Sequence, residues 1–190
     1  MPLIDRDAAA WMPGSSPGMT QGKSDMQNRA IEITAYTPAD RDGIADLIVG
    51  IQRGEFGIAI TYDQQPDLKD IPGFYQQGAG DFWVARDGGR VVGTIALKDI
   101  GNAQVALRKM FVDAAYRGRE HGVAQRLLDT AIAWARKKGV REIILGTTVK
   151  FLAAHRFYEK NGFAKVGVET LPPSFPRMAV DEIFYRLPLA

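Results

Sequence analysis

The sequence contains no cysteine, which excludes disulfide bonds and thiolate metal sites. Only two histidines occur, His121 and His155, and this argues against a histidine-rich metal centre. No apolar run approaches the roughly 20 residues needed to span a bilayer. A net charge of +2 over 190 residues is too small to indicate a nucleic-acid partner. We therefore expect a soluble, cytoplasmic protein with no bound metal and no membrane or nucleic-acid partner.

An apolar content of 46% and a charged content of 24% are typical of one soluble globular domain with a substantial core. Residues 1–29 differ from the rest, because the segment 11–20 is rich in Pro, Gly and Ser and has no regular period. The first residues also lack the apolar stretch of a signal peptide. We predict a disordered or dispensable arm over 1–29, a single domain over 30–190, and, as a further hypothesis, a translation start at Met26.

Apolar runs bounded by turn residues predict seven strands. These runs lie at 31–36, 82–85, 91–97, 105–112, 142–145, 163–168 and 179–187. Helical spacing predicts helices after Thr37, at 123–138 and at 151–160, whereas 54–80 is irregular. Three strands in a row, joined by tight turns, imply an antiparallel meander. The order β-α-(α)-β-β-β-α-β-α-β-β predicts an α+β or mixed α/β layer fold.

The segment between the third strand of the meander and the next helix carries Gly118 and Gly122 beside Arg117 and Arg119. A helix start presents unpaired N–H groups and the positive end of the helix dipole, so it is a ready anion site. Phosphate is the usual anion there, which favours a phosphorylated cofactor. The other interpretation is an ordinary helix start with solvated arginines.

Two motifs resemble signatures of the GNAT superfamily of acetyl-CoA-dependent N-acetyltransferases. The run 119–124, Arg-Glu-His-Gly-Val-Ala, is similar to the family's turn between its fourth strand and the following helix. The run 154–163 is similar to the family's second signature, which ends in Tyr-Glu-Lys-x-Gly-Phe. The resemblance covers about residues 31–187. It implies a mostly antiparallel twisted sheet of about seven strands, helices on both faces, and a splay between the fourth and fifth strands.

The same resemblance implies how acetyl-CoA is bound. Backbone groups of Met110, Phe111 and Val112 should pair with the pantetheine arm between the splayed strands. The turn should hold the pyrophosphate through N–H groups and positive charge. The turn residues concerned are Arg117, Gly118, Arg119, Gly122, Val123 and Ala124. Compared with the commonest family form, two residues are added between Gly118 and Gly122, and whether Arg117 or Arg119 faces phosphate stays open.

Tyr158 occupies the position at which the family has a tyrosine beside the reacting sulfur. A phenol there can donate a proton to the departing thiolate. The alternative is a tyrosine that only packs in the core or against the cofactor. The acceptor amine must lose a proton before attack, and many family members use a glutamate on the fourth strand for this. Here the matching position is Ala106, so the usual base is missing.

Three carboxylates near the expected acceptor cleft are candidate bases, namely Glu55, Asp63 and Asp99, although a solvated loop carboxylate is the favoured interpretation of each. The loops at 54–80 and 171–177 should determine acceptor specificity. Their aromatic residues either line an apolar wall or anchor the loops to the core. These are Phe56, Tyr62, Phe74, Tyr75 and Phe175. We interpret His121 as a loop residue beside phosphate and His155 as structural.

The leading hypothesis is an N-acetyltransferase that moves an acetyl group from acetyl-CoA to a primary amine of a small molecule or peptide. The amine would attack directly in a ternary complex. A non-catalytic acyl-CoA-binding or sensor domain is the alternative, and Ala106 is its support. A nucleotide phosphate-binding protein is a weaker third, because the turn does not end in Gly-Lys-Ser/Thr. A homodimer through the C-terminal hairpin is compatible with the family.

Overall fold

The computed structural model describes residues 31–149 and 151–189. Seven strands are present in this part of the chain: β1 Glu32–Ala35, β2 Asp81–Asp87, β3 Arg90–Gly101, β4 Gln104–Val112, β5 Glu142–Thr147, β6 Ala164–Val166 and β7 Ile183–Pro188. It also contains five α-helices: α1 Arg41–Gly54, α2 Pro66–Lys69, α3 Ile71–Phe74, α4 Val123–Lys137 and α5 Leu152–Lys160. The arm predicted over residues 1–29 lies outside the described residues.

The strands form one sheet in the order β1-β2-β3-β4-β5-β7-β6. Every neighbouring pair is antiparallel except β4 and β5, which run parallel. The connection from β4 to β5 passes through α4, as a parallel pair requires a crossover. The predicted meander, the mostly antiparallel sheet of seven strands and the order of elements are therefore confirmed.

Helices cover both faces of the sheet, and β2 shows how the sequence divides them. Phe82 and Val84 face the cluster that α1, α2 and α3 complete. Trp83 and Ala85 point the other way, into the cluster with α4 and α5. Successive strand residues point to opposite faces, so a continuous apolar run buries both sides of this central strand. The prediction of helices on both faces is confirmed.

Helix α4 packs closely on the sheet because the strand beneath it lacks a side chain at Gly93. A Cβ placed at Gly93 would lie 3.0 Å from methyl groups of both Leu127 and Val123. The apolar face of α4 is fully buried there, in agreement with the helical spacing of its sequence. None of the helices in the described ranges is long and apolar enough to cross a membrane.

Two expectations about local structure need correction. The segment 54–80 is not wholly irregular, since it contains α2, α3 and a 3₁₀ turn over Tyr62–Gln64. The Gln64 side chain accepts from the Thr61 N–H at the start of that turn. Pro66 begins α2 and Pro72 is the second residue of α3, positions at which the missing N–H of proline costs nothing. Strand β7 begins at Ile183 instead of 179, because Met178 and Asp181 close a turn first.

Candidate active site

The parallel strands β4 and β5 separate after a short stretch of pairing. They pair only at Gln104, Val105 and Ala106, which lie opposite 142–144. Beyond Ala106, the edge of β4 that faces β5 has no strand beside it within the described residues. A cleft of about 450 Å³ opens between the two strands, with 107–112 on one wall and 145–148 on the other. The predicted splay between the fourth and fifth strands is confirmed.

A β-bulge in β4 lies inside this cleft. On β3, Thr94 pairs with Phe111 and Ala96 pairs with Arg108. The single residue between them on β3 therefore faces two residues on β4, Lys109 and Met110. One of them, Lys109, has a φ of 50°, which is unusual for a residue with a side chain. The Thr94 hydroxyl donates to the Lys109 carbonyl at 2.7 Å and holds the distortion. Bulges commonly redirect backbone groups next to active sites.

Tyr158 lies within the same cleft, on the inner face of α5. The side chain is buried, and its hydroxyl donates to the Met110 Sδ at 3.6 Å. Burial raises the pKa of Tyr158 well above its ordinary value, so the phenol keeps its proton at any physiological pH. Phe111 and Val112 line the cleft beside Met110. The structure thus brings together Tyr158 and all three strand residues expected at the pantetheine arm.

The glycine-bearing turn follows β4 at the end of the cleft marked by Val112. Gly118 and Gly122 both have positive φ, at 99° and 60°, as a left-handed turn requires. The Gly122 N–H donates to the Gly118 carbonyl at 3.2 Å, so the enlarged loop closes on itself. Helix α4 then begins at Val123 with no side-chain cap on its first N–H groups. A Cβ at Gly122 would meet nothing within 4 Å, so a ligand can approach this helix start.

The two arginines of the turn differ in their surroundings. Arg117 is 7% exposed and forms a bidentate ion pair with Glu55, the residue that follows α1, with N–O distances of 2.7 and 2.8 Å. Its Nε also donates to the Val112 carbonyl at 2.8 Å. Arg119, in contrast, is exposed. The role of both in cofactor binding stays a prediction, and these contacts favour Arg119 as the cation that meets phosphate.

The three carboxylates considered as bases have other partners. Glu55 is held by Arg117, as described above. Asp63 is 85% exposed and pairs with Lys69, which lowers its pKa. Asp99 accepts from the backbone N–H groups of Ala79 and Gly101 and thereby fixes two turns. No base can be assigned from this set.

A second groove of about 170 Å³ adjoins the cleft on the side of the expected acceptor. Ala106 lies in its floor, at the position where the family's usual base would stand. Both Arg108 and Lys109 line it from β4, and Asp181 lines it from the loop before β7. Asp181 also borders the larger cleft, and sequence reasoning missed this residue.

The aromatic residues of the loops divide between the two roles considered. Phe56 lines the larger cleft and packs on Phe151, with ring centroids 4.5 Å apart. Phe175 lines the acceptor groove. The other three, Tyr62, Phe74 and Tyr75, pack into the core beneath α1.

The two histidines have contacts within the fold. The His155 Nε2 donates to the Thr148 carbonyl, 2.9 Å away, and the imidazole ring packs on Tyr185. His121 is exposed in the glycine-bearing turn, with its ring 5.4 Å from that of Tyr116. Within residues 31–149 and 151–189, no group of three His, Cys, Asp or Glu side chains could hold a metal ion.

A parallel strand pair opens over a buried tyrosine, and a glycine-bearing helix start follows the first strand of the pair. This is the arrangement expected of an acyl-CoA-dependent transferase. The family model for the acetyltransferase (GNAT) family matches residues 48–163, which is more than half of the chain. A GNAT-family acetyltransferase from Staphylococcus aureus Mu50 is 38% identical, with a TM-score of 0.79. The alignment covers 85% of this chain and 100% of that one. The chain belongs to the GNAT acetyltransferase family.

Curated relatives are similar over part of their length. N-acetylaspartate synthetase of Xenopus tropicalis is 37% identical over 127 residues, which cover 64% of this chain and 45% of that protein. N-acetyltransferase 8 of Mus musculus is 35% identical over 107 residues, covering 53% and 46% respectively. The chain thus spans about half the length of these relatives. The Salmonella typhimurium protein yncA, solved with its cofactor acetyl-CoA, shares the fold at 21% identity and a TM-score of 0.66, over 85% of this chain and 95% of that one.

Proposed function

We propose that this protein is an N-acetyltransferase that moves an acetyl group from acetyl-CoA to a primary amine of a small molecule or peptide. The amine attacks directly in a ternary complex. The observation that carries the proposal is the buried Tyr158 hydroxyl beside Met110, inside the cleft between β4 and β5. Relatives named as N-acetyltransferases support transfer over the alternative of a non-catalytic sensor.

The described residues fit acetyl-CoA, which supplies the acetyl group as a reactive thioester. From Met110 to Val112, β4 has no strand of the described residues beside it on the side of β5, so backbone groups there can pair with the amides of the pantetheine arm. The Val112 carbonyl already accepts from Arg117. The start of α4 offers the N–H groups of Val123 and Ala124 to the pyrophosphate. Gly122 leaves open space there, whereas a residue with a side chain would fill it.

Tyr158 serves the leaving group in this proposal. Its raised pKa keeps the phenol protonated, so the O–H is present when negative charge develops on the departing sulfur. Backbone N–H groups at the bulge of β4 polarise the thioester carbonyl in the same cleft. Both groups are fixed before the reaction, because the bulge is held by Thr94 and α5 is packed in the core.

We further propose that the acceptor carries a carboxylate near its amine. Arg108 lines the acceptor groove, and its guanidinium contacts the Pro176 carbonyl at 3.1 Å and the Met178 sulfur at 2.6 Å. It forms no ion pair with a carboxylate of the described residues. The Tyr75 hydroxyl is a further partner of this guanidinium. A guanidinium whose hydrogen-bond partners are all neutral suits a carboxylate ligand, and one similar protein is named for making N-acetylaspartate.

The change Tyr158→Phe tests the proposed chemistry. Turnover should fall roughly 10²-fold, because an acid catalyst is lost. The dissociation constant for acetyl-CoA should change less than about twofold, since the ring still packs in the cleft. Thiol release with amino acids, polyamines and peptides measures turnover. Tyr185→Phe is the matched control, because that buried hydroxyl donates to Glu159 in the same cluster.

Unchanged turnover in Tyr158→Phe would remove this residue from catalysis. Tight acetyl-CoA binding with no transfer to any amine would instead favour the sensor. If the acceptor carries a carboxylate, Arg108→Gln should raise its KM at least about tenfold, the equivalent of one charged hydrogen bond. Cytoplasmic location, the absence of membrane, nucleic-acid and metal partners, and dimerisation through the C-terminal hairpin stay predictions.

A further inference from the structure

The missing base is a chemical problem, because an acceptor amine with a pKa near roughly 10.4 is mostly protonated at pH 7. We propose that Asp181 is the catalytic base that removes this proton, an assignment that rests on the proposed function. Asp181 is the one carboxylate among the described residues that line the acceptor groove, and it also borders the cleft of Tyr158. It therefore lies where the two substrates must meet.

The Asp181 side chain is held in one position from two sides. Its Oδ2 accepts from the Met178 N–H at 2.9 Å, and its own N–H donates to the Met178 carbonyl at 3.0 Å. On the other side it rests against Gly146 of β5. A Cβ at Gly146 would lie only 2.6 Å from the Asp181 Cγ. The glycine thus allows the carboxyl group to lie directly against the strand that forms one wall of the cleft.

The carboxyl group keeps an atom available for a substrate proton. No group among residues 31–149 and 151–189 donates a hydrogen bond to Oδ1, and no lysine or arginine there forms an ion pair with Asp181. Burial raises the pKa of Asp181, and the hydrogen bond from the Met178 N–H and the charges of Arg108 and Arg177 only partly oppose the rise. A carboxylate with a raised pKa is the stronger base at neutral pH.

The other charged side chains around the groove are less suited to this role. Lys109 lines it too, but its ammonium pairs with Asp67 at 3.1 Å and donates to Gln65 at 2.8 Å. Burial lowers the pKa of Lys109, although the nearby Asp67 opposes that shift. The amine is engaged by Asp67 and Gln65, which leaves it less suited than Asp181 to accept a proton from the acceptor. Glu182, which follows Asp181, lines the larger cleft but not the acceptor groove. It is exposed and accepts from the Thr148 hydroxyl at 3.4 Å.

The proton inventory balances with Asp181 as the base. Its carboxylate takes one proton from the acceptor ammonium and later releases it to solvent. The nitrogen lone pair forms the N–C bond, the C–S bond breaks, and the thiolate takes the proton of Tyr158. The acylated nitrogen loses a second proton, which restores the Tyr158 hydroxyl through solvent.

The test is Asp181→Asn, measured as kcat/KM from pH 5 to 10 with a series of amines of falling pKa. The amide oxygen can still accept the Met178 N–H, so the turn is retained while the base is lost. For an alkyl amine, kcat/KM should fall roughly 10²-fold at pH 7. For an amine with a pKa near 7 the loss should shrink to less than about tenfold, because half of it is already neutral. The acidic limb of the pH profile, which is the fall in kcat/KM caused by protonation of Asp181, should disappear.

Asp63→Asn, the same change at an exposed carboxylate that lines neither cavity, should leave the profile unchanged. Asp181→Ser is a second variant, because its hydroxyl can also accept the Met178 N–H if the asparagine variant does not fold. An equal loss for all amines, with the acidic limb retained, would overturn the assignment while leaving the acetyltransferase intact. Absence of transfer by the unaltered protein to every amine would overturn the proposed function and the base together.

Discussion

The ion pair between Arg117 and Glu55 joins the glycine-bearing turn to the end of α1. Its removal should lower the free energy of unfolding by a measurable amount. The guanidinium is 7% exposed and the carboxylate 28%. Loss of one member of a buried pair costs about 3–5 kcal/mol, whereas an exposed pair contributes only about 0.2–1 kcal/mol. Because water reaches Glu55 in part, we expect Glu55→Gln to lower the free energy of unfolding by about 2 kcal/mol.

Arg117→Gln should cost slightly more, because the bond from Nε to the Val112 carbonyl is lost as well. The double variant should be less unstable than the sum of the two single variants by about 1–1.5 kcal/mol, as expected for residues in direct contact. Equilibrium unfolding in urea measures the free energy of unfolding of the unaltered protein, the two single variants and the double variant. A common slope of free energy against urea would show that the denatured state is unchanged.

Affinity for coenzyme A then separates a structural role from phosphate binding. If Arg117 only stabilises the fold, Arg117→Gln should weaken coenzyme A binding less than about threefold. Arg119→Gln should weaken coenzyme A binding about tenfold and leave the free energy of unfolding unchanged. Additive stability effects, or a large loss of affinity in Arg117→Gln with normal stability, would refute this reasoning. Tighter binding in Glu55→Gln would show that the released guanidinium reaches phosphate.

Two further predictions concern stability. Burial alone would raise the pKa of Asp40, but hydrogen bonds from Arg86 and Thr37 outweigh it and lower the pKa below its ordinary 3.8. Asp40→Asn should therefore lower the free energy of unfolding in urea by about 2 kcal/mol above pH 5. This difference from the unaltered protein should vanish as the pH falls below 3.8 and through the lowered pKa of Asp40. A difference that does not depend on pH would contradict this account. Gly80→Ala should lower the unfolding free energy by about 3 kcal/mol, because the new Cβ would lie 2.3 Å from the Tyr75 carbonyl oxygen. Gly50→Ala in α1, with nothing within 4 Å, should instead raise it by about 0.5–1 kcal/mol, and equal effects at the two glycines would be contrary to this account.

The arrangement of strand, turn and helix at the proposed cofactor end could be predicted because its determinants are local in the sequence. The glycine-bearing turn is contiguous with the strand before it and the helix after it, and each step has a recognisable residue pattern. Tyr158 belongs to a motif of ten residues in one helix. The side-chain partner of Arg117 could not be predicted, because Glu55 is 62 residues away and meets it only after α1 packs beside β4.

The acceptor end depends on contacts between distant segments, and this is why Asp181 was missed. It reaches the groove only because β7 inserts between β5 and β6, which places the loop before β7 against Gly146. Nothing adjacent to Asp181 in the sequence indicates that pairing. One signal was present: Gly146 follows the apolar run 143–145, and a glycine within a strand often marks a close approach by another group. A glycine in a splayed strand is therefore a reason to search distant loops for a carboxylate, and Asp181 satisfies that criterion here by packing where a Cβ would stand.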